Sequence, residues 1–194
     1  MTIGMSNNNT LIVGSIGLDT IETISDRKES ILGGSATYAT IAAGKSSDVH
    51  LVGIIGDDFP PSGMKIFKEA TVDLSNLEQK KGKTFSWGGR YAKDWDNRQT
   101  LFTELGVFKE FDPVLTQQNK EVPIIFLANI HPVLQLSVLD QCTKRKFVII
   151  DTMNLWIDTE REKLKEVISS CDVLLINEFE AEQFTRRKNH DDQG

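Results

Sequence analysis

Cysteine is scarce in this sequence. Cys142 and Cys171 stand alone, with no Cys-x-x-Cys. Neither a disulfide framework nor a thiolate metal site is expected, and the thiols suit a reducing, cytoplasmic compartment. The three histidines, His50, His131 and His190, show no metal-ligand spacing. Positive charge is outnumbered: 22 Lys and Arg face 28 Asp and Glu, for a net charge of -6. No basic stripe is visible, which argues against a nucleic-acid partner. Long apolar runs are missing too. The longest, Val122 to Ala128, falls well short of the about 20 residues a membrane-spanning helix needs. Met1 to Thr10 is polar and lacks the apolar centre of a secretion signal. No internal repeat, linker or low-complexity tract precedes the polar tail Arg186 to Gly194.

What is present is a globular balance, 39% hydrophobic and 26% charged over 194 residues, enough for one sizeable core. Short runs rich in Val, Ile and Leu recur at Leu11 to Val13, Val49 to Ile55, Ile124 to Ala128, Phe147 to Ile150 and Val173 to Ile176. Continuous apolar runs of this length predict strands buried on both faces of a parallel sheet. Between them, helices are predicted over Ser35 to Ala43, Ser62 to Glu69, Pro132 to Cys142, Thr159 to Ser170 and Glu178 to Phe184. The alternation predicts a doubly wound α/β domain. A polar residue closes nearly every strand, and ligands of such sheets bind beyond those ends.

Two stretches break the alternation. Leu18 to Leu32 alternates apolar and polar residues, and Thr84 to Leu105 is rich in aromatic and β-branched residues. Both predict antiparallel strands, with Gly88-Gly89 and Asp96-Asn97 as turn signals in the second. Phe85, Trp87, Tyr91, Trp95 and Phe102 load that stretch with large rings. It reads equally as a small sheet with its own apolar face or as a lid over the carboxyl ends of the main sheet. Gly33-Gly34 opens a run of small residues, Ser35 to Ala43. Adjacent glycines permit a sharp turn and close approach to a ligand, with the first amides of the following helix aimed at the turn. A plain strand-to-helix turn is the competing reading. The run Ala39 to Ser46 fits a relaxed phosphate-loop pattern, but its middle residues are apolar helix formers and Gly44 reads as a helix stop. Gly14-Ser15-Ile16-Gly17 is not a dinucleotide fingerprint, which argues against a nicotinamide-dependent dehydrogenase.

The order of five motifs resembles the ribokinase-like, or PfkB, family of carbohydrate and nucleoside kinases. They are Gly14-Ser15-Ile16-Gly17-Leu18-Asp19, Gly33-Gly34-Ser35-Ala36, Gly56-Asp57-Asp58, Asp151-Thr152-Met153-Asn154 and Asn177-Glu178-Phe179-Glu180. The likeness runs from about Leu11 to Phe184 within one domain, with lid segments at about 18–32 and 84–105. It implies a ribokinase-like sheet with a small β-lid, and ATP-dependent phosphorylation of a sugar or nucleoside hydroxyl with Mg²⁺. Asp19 stands where the family's carboxylate receives sugar hydroxyls. Gly33 and Gly34 would let the backbone approach the sugar. Tyr38 stands where many members carry a sugar-binding Asn, a departure from the ribose pattern. Asn129 and Asn154 read equally as substrate contacts or loop caps. Asn177 and Glu180 match the family's Asn-x-x-Glu, which organises magnesium and phosphate, although an ordinary acidic helix start has the same look.

One family motif has no counterpart. It is a Gly-Ala-Gly-Asp segment whose amides cradle the transferring phosphate and whose Asp is the base. No Gly-x-Gly-Asp occurs in the sequence. Phosphoryl transfer is mostly positioning and charge stabilisation, and losing one such donor alone costs about 10²–10³-fold. The resemblance therefore implies a C-terminally incomplete kinase, weak or inactive alone, with ATP and Mg²⁺ binding reduced. It would be a truncated product or half of a split protein, paired through its lid or with a complementing C-terminal half. The alternative is a non-catalytic sugar-binding remnant.

Overall fold

The computed structural model describes residues 8–92 and 98–186. In chain order its elements are β1 (Asn9–Val13), β2 (Gly17–Glu22), β3 (Arg27–Gly33), α1 (Ser35–Ala43), β4 (Asp48–Gly56), α2 (Pro61–Ala70), β5 (Asp73–Lys80), β6 (Ser86–Tyr91) and β7 (Arg98–Glu104). Two 3₁₀ turns, Gly106–Glu110 and Asn119–Glu121, lead to β8 (Ile124–Leu127), α3 (Pro132–Gln141), β9 (Phe147–Asp151), α4 (Asn154–Thr159), α5 (Arg161–Ile168), β10 (Val173–Leu175) and α6 (Glu178–Thr185).

Six strands form one sheet in the order β10-β9-β8-β1-β4-β5, each neighbouring pair parallel. Side chains alternate between its faces, so each apolar run feeds two cores. Leu11, Val13, Val52, Ile54, Ile125 and Leu127 pack with α3 and α5 through Val138, Leu139 and Val167. Ile12, Val49, Leu51 and Ile55 pack on the other face with Ala36 of α1 and Phe67 of α2. The result is the doubly wound α/β arrangement that the alternation predicts.

Two local readings change. Glu160, at φ -128° and ψ 31°, interrupts the helix predicted over Thr159 to Ser170, leaving α4 and α5 on either side. β5 was not foreseen. Its sequence, Asp-Leu-Ser-Asn-Leu-Glu-Gln-Lys, is polar because it is the outer strand, with water on its free side. A buried polar cluster secures it: Asn119 donates to Asp73 (2.8 Å) and Asn76 (2.9 Å), and its carbonyl oxygen faces His50 Nδ1 (2.7 Å).

The two stretches that break the alternation form a separate four-stranded sheet, β3-β2-β6-β7. β2–β3 and β6–β7 are antiparallel and β2–β6 parallel. A β-bulge places Ser30 at φ 54° and shifts the register between Asp19 and Ile21. Gly88-Gly89, read above as a turn, lies inside β6. The Trp87 ring covers Gly89 and the Phe102 ring covers Gly88, so the rings occupy the volume that side chains there would need. Trp95, Asp96 and Asn97 lie outside the described residues.

The chain crosses between the sheets four times, and the crossings are fastened in pairs. Ser15 accepts from the Ala36 amide at its carbonyl (3.0 Å) and from the Ser35 amide at its hydroxyl (3.1 Å). The Lys83 carbonyl accepts from Val107 (2.8 Å), and the Phe85 carbonyl accepts from Leu18 (2.9 Å). Asp58, just past β4, accepts from the Thr84 amide (2.7 Å) and hydroxyl (2.8 Å). Burial works to raise the Asp58 carboxyl, but the Thr84 bonds and the Lys83 ammonium outweigh it and hold its pKa below the usual value.

Candidate active site

The site begins where β1 ends. Gly34 caps α1 at φ 93°, and a side chain there would strike the Ser15 carbonyl and the Gly17 amide. Only glycine tolerates both the angle and the contact. The first two amides of α1, on Ser35 and Ala36, are taken by Ser15. They do not face an open turn, which corrects the expectation that they would greet a ligand. Gly33 has a different duty: a Cβ there would fall onto the Asp19 carboxylate. The missing side chain is what lets Asp19 lie against the turn.

Asp19 is held in an unusual state. Burial drives its pKa from 3.8 up to about 6, opposed by a hydrogen bond from the Trp87 backbone amide. Its Oδ1 is buried and has no hydrogen-bond partner among the described residues. Buried acceptors without a partner are uncommon in folded proteins and mark sites of function or strain. Strand alternation and register place Ile21, Ile31, Trp87, Gly89 and Tyr91 on the same face of the small sheet as Asp19. Phe102 is on the opposite face, and Phe85 packs against Phe108 at 5.6 Å. The aromatic side chains foreseen as one group are thus divided. Tyr38, 58% exposed on α1, lies within electrostatic reach of both Asp19 and Tyr91. Burial, then those two neighbours, raises its phenol pKa.

Asn129, Asp151 and the Asn177–Glu180 turn follow along the row of strand ends. The Asn129 carbonyl accepts from Ser35 Oγ (3.2 Å), tying the end of β8 to the start of α1. Its side-chain oxygen accepts from Trp156 Nε1 (2.8 Å). Asp151 closes β9; burial, supported by the Glu180 charge, raises its pKa against hydrogen bonds from the Thr152 and Asn129 amides. Asn154, the first residue of α4, is exposed and stands apart from Asp19, its carbonyl accepting from Gln183 (3.2 Å). Asn177 Oδ1 accepts from the Glu180 amide (2.9 Å) and Glu180 Oε2 from the Asn177 amide (3.1 Å), a reciprocal capping box on α6.

Two residues went unnoticed in the sequence. Trp156 sits in a helix predicted to begin later, so nothing signalled that its indole reaches Asn129. Gln135 crosses from α3 to donate to the carbonyls of Ala128 (3.2 Å) and Asp151 (3.0 Å), joining the ends of β8 and β9. A glutamine set between Leu134 and Leu136 was its only signal.

Known proteins agree with this architecture. The nucleoside kinase of Methanocaldococcus jannaschii, an archaeal member of the ribokinase family, matches with a TM-score of 0.74 at 20% identity, over 94% of this chain and 65% of that one. Arabidopsis thaliana ribokinase, complexed with ribose and ATP, matches with a TM-score of 0.70 at 18% identity, over 96% and 65%. A Burkholderia thailandensis nucleoside kinase in complex with inosine matches at 0.67 and 15% identity, over 92% and 63%. At such identities the likeness is one of fold, and the chain spans less than two thirds of each structure's length. No curated protein matches the sequence. The profile of the pfkB family carbohydrate kinases, however, matches residues 9–194. With nearly the whole sequence matched and the ribokinase-like sheet in place, the chain belongs to the pfkB family of carbohydrate kinases.

Proposed function

We propose that this chain forms the hydroxyl-binding part of an ATP-dependent sugar or nucleoside kinase. The observation that carries the reading is the unpaired Asp19 oxygen, desolvated beside Gly33. An ionised carboxylate there would accept protons from ligand hydroxyls, regaining the hydrogen bonds that burial removed. Gly33 and Gly34 bring backbone close, Tyr38 borders the entrance, and Asn129 offers a polar side chain further along. Asn154, exposed at the start of α4, is the last of the proposed contacts. The small sheet would serve as a lid that excludes water from the acceptor hydroxyl. Related structures hold ribose with ATP in one case and inosine in another, which favours ligands of these two classes here.

Mg²⁺ fits the far end of the row in one way. Asn177 and one Glu180 oxygen are occupied by the capping box, leaving the other Glu180 oxygen with Asp151 nearby. Among the described residues no group of three His, Cys, Asp or Glu could hold a metal directly. Glu180, with Asn177 fixing its turn, would hold Mg²⁺ through water and phosphate, as suits a cation that dehydrates reluctantly. The ion would neutralise charge on the transferring phosphoryl group.

No Gly-x-Gly-Asp supplies the base and phosphate-cradling amides, so turnover by this chain alone is expected to be weak or nil. Two partners suit the fold. One is a second copy meeting the small sheet, where Ile24 is 76% exposed. The other is a polypeptide that completes the sheet beside β10, where Val173 and Leu175 are solvent-facing. A second reading is a sugar-binding module, since the unpaired Asp19 oxygen suits binding with or without phosphoryl transfer. Calorimetry with ribose and inosine, followed by an ADP-release assay with ATP and Mg²⁺, separates these readings. Binding without turnover favours the module. Robust turnover by the chain alone refutes the argument from the missing base. Absence of binding to either probe removes the hydroxyl-site reading.

A further inference from the structure

At the carboxyl end of β8, next to the start of α1, lies a hydrogen-bonded chain of which the proposal above uses only Asn129. Asn129 touches the start of α1 through Ser35, two residues after Gly33. The indole Nε1–H of Trp156 can only donate, so the Asn129 atom facing it at 2.8 Å is the oxygen. This orients the amide and turns its NH₂ edge the other way. There Nδ2 meets the Met153 sulfur at 3.1 Å. A thioether is a weak acceptor, so this donor is the least committed end of the group.

Trp156 is itself immobilised. The His131 ring packs against it, with centroids 5.0 Å apart at 58°. His131 Nδ1 accepts from the Val133 amide (3.2 Å), which places the ring hydrogen on Nε2, facing Glu160 Oε1 at 3.4 Å. Glu160 is the residue that separates α4 from α5. The helix break thus supplies the partner of the His131 ring. From below, Gln135 fixes the backbone on either side by joining the Ala128 and Asp151 carbonyls.

We propose that Trp156 is a positioning residue: its indole N–H locks the Asn129 amide so that the NH₂ edge donates to a ligand hydroxyl in place of the Met153 sulfur. This rests on reading the Asp19 crevice as a hydroxyl-binding site. The chemistry selected is an acceptor oxygen, a neutral hydroxyl or ring oxygen of the ligand.

A double-mutant cycle tests it, using calorimetry with ribose and with inosine on the full chain. Trp156→Phe keeps the ring against His131 and removes only the donor. It should weaken binding of whichever probe the unaltered chain binds by about tenfold, or about 1.4 kcal/mol. Asn129→Ala should weaken it at least as much, and adding Trp156→Phe to Asn129→Ala should change binding less than about twofold. The side-chain amide protons of Asn129, sharp in the unaltered chain, should broaden in Trp156→Phe as the amide gains freedom to rotate. Unchanged binding in Trp156→Phe, alongside binding lost in Asp19→Ala, overturns this inference alone. Additive losses across the cycle overturn it as well. If the unaltered chain binds neither probe, the hydroxyl-site reading fails and this inference falls with it.

Discussion

Asp19, inside β2 of the small sheet, and Glu180, in the first turn of α6, are held in opposite ways. Glu180 spends an oxygen on the Asn177 amide and receives its own amide's bond to Asn177 in return. Asp19 is half-buried against a glycine; it accepts from the Trp87 amide, and its Oδ1 has no partner among the described residues. The capping bonds of Glu180 belong to the helix it starts. The bonds found at Asp19 account for that carboxylate only in part. Asn-x-x-Glu therefore has a complete local structural use, and Asp19 an incomplete one.

The largest expected effect breaks the comparison at Asp19. Replacing it with Ala should reduce ribose or inosine binding at least about 100-fold, the loss of two charge-assisted hydrogen bonds. Stability in urea should change little, because the cost of a half-buried carboxylate is removed together with its bond from the Trp87 amide. Binding that survives in Asp19→Ala would place Asp19 in the same structural role as Glu180. Next in size is Gly33→Ala, whose new methyl falls onto the Asp19 carboxylate. Calorimetry should register a loss of more than about tenfold as that side chain is displaced.

The raised pKa of Asp19, about 6, makes a prediction in pH. Only the ionised form accepts two hydroxyls, so binding at pH 5 should be about tenfold weaker than at pH 7. The stability trend has the opposite sense. The folded pKa lies above the unfolded value of about 3.9, so the folded state holds the extra proton between about pH 4 and 6. Stability should fall as pH rises through that window and level off above it. Thermal melts of Asp19→Asn should lack that component. The smallest effect belongs to the other end: Asn177→Ala should cost about 1 kcal/mol in urea titration, the ordinary value of a helix cap.

Much of the fold was legible because the main sheet is buried on both faces. Val49 to Ile55 and Phe147 to Ile150 had to be continuous apolar runs, and they sit within a residue of β4 and β9. β5 was illegible for the converse reason: an outer strand secured by Asp73, Asn76 and Asn119 leaves no apolar pattern to read. At the site, Asp19 and Gly33 were legible because each belongs to a short motif, although Asp19 lies within β2 and only Gly33 borders a turn. The Trp156–Asn129 bond joins residues 27 apart, from α4 back to the end of β8, and no periodicity announces it. Gly88-Gly89 misled for a specific reason: glycines in a strand can make room for neighbouring rings as readily as they make a turn.

The paired crossings between the sheets constrain how the smaller one can travel. Both fastenings, Ser15 with Ser35 and Ala36, and Lys83 with Val107, lie along one border of the small sheet and are linked through Leu18 and Phe85. A plate pinned at two points on one border can tilt but cannot slide. Asp19, Trp87 and Tyr91 share one face of that plate, so any tilt carries the acid and the two rings together.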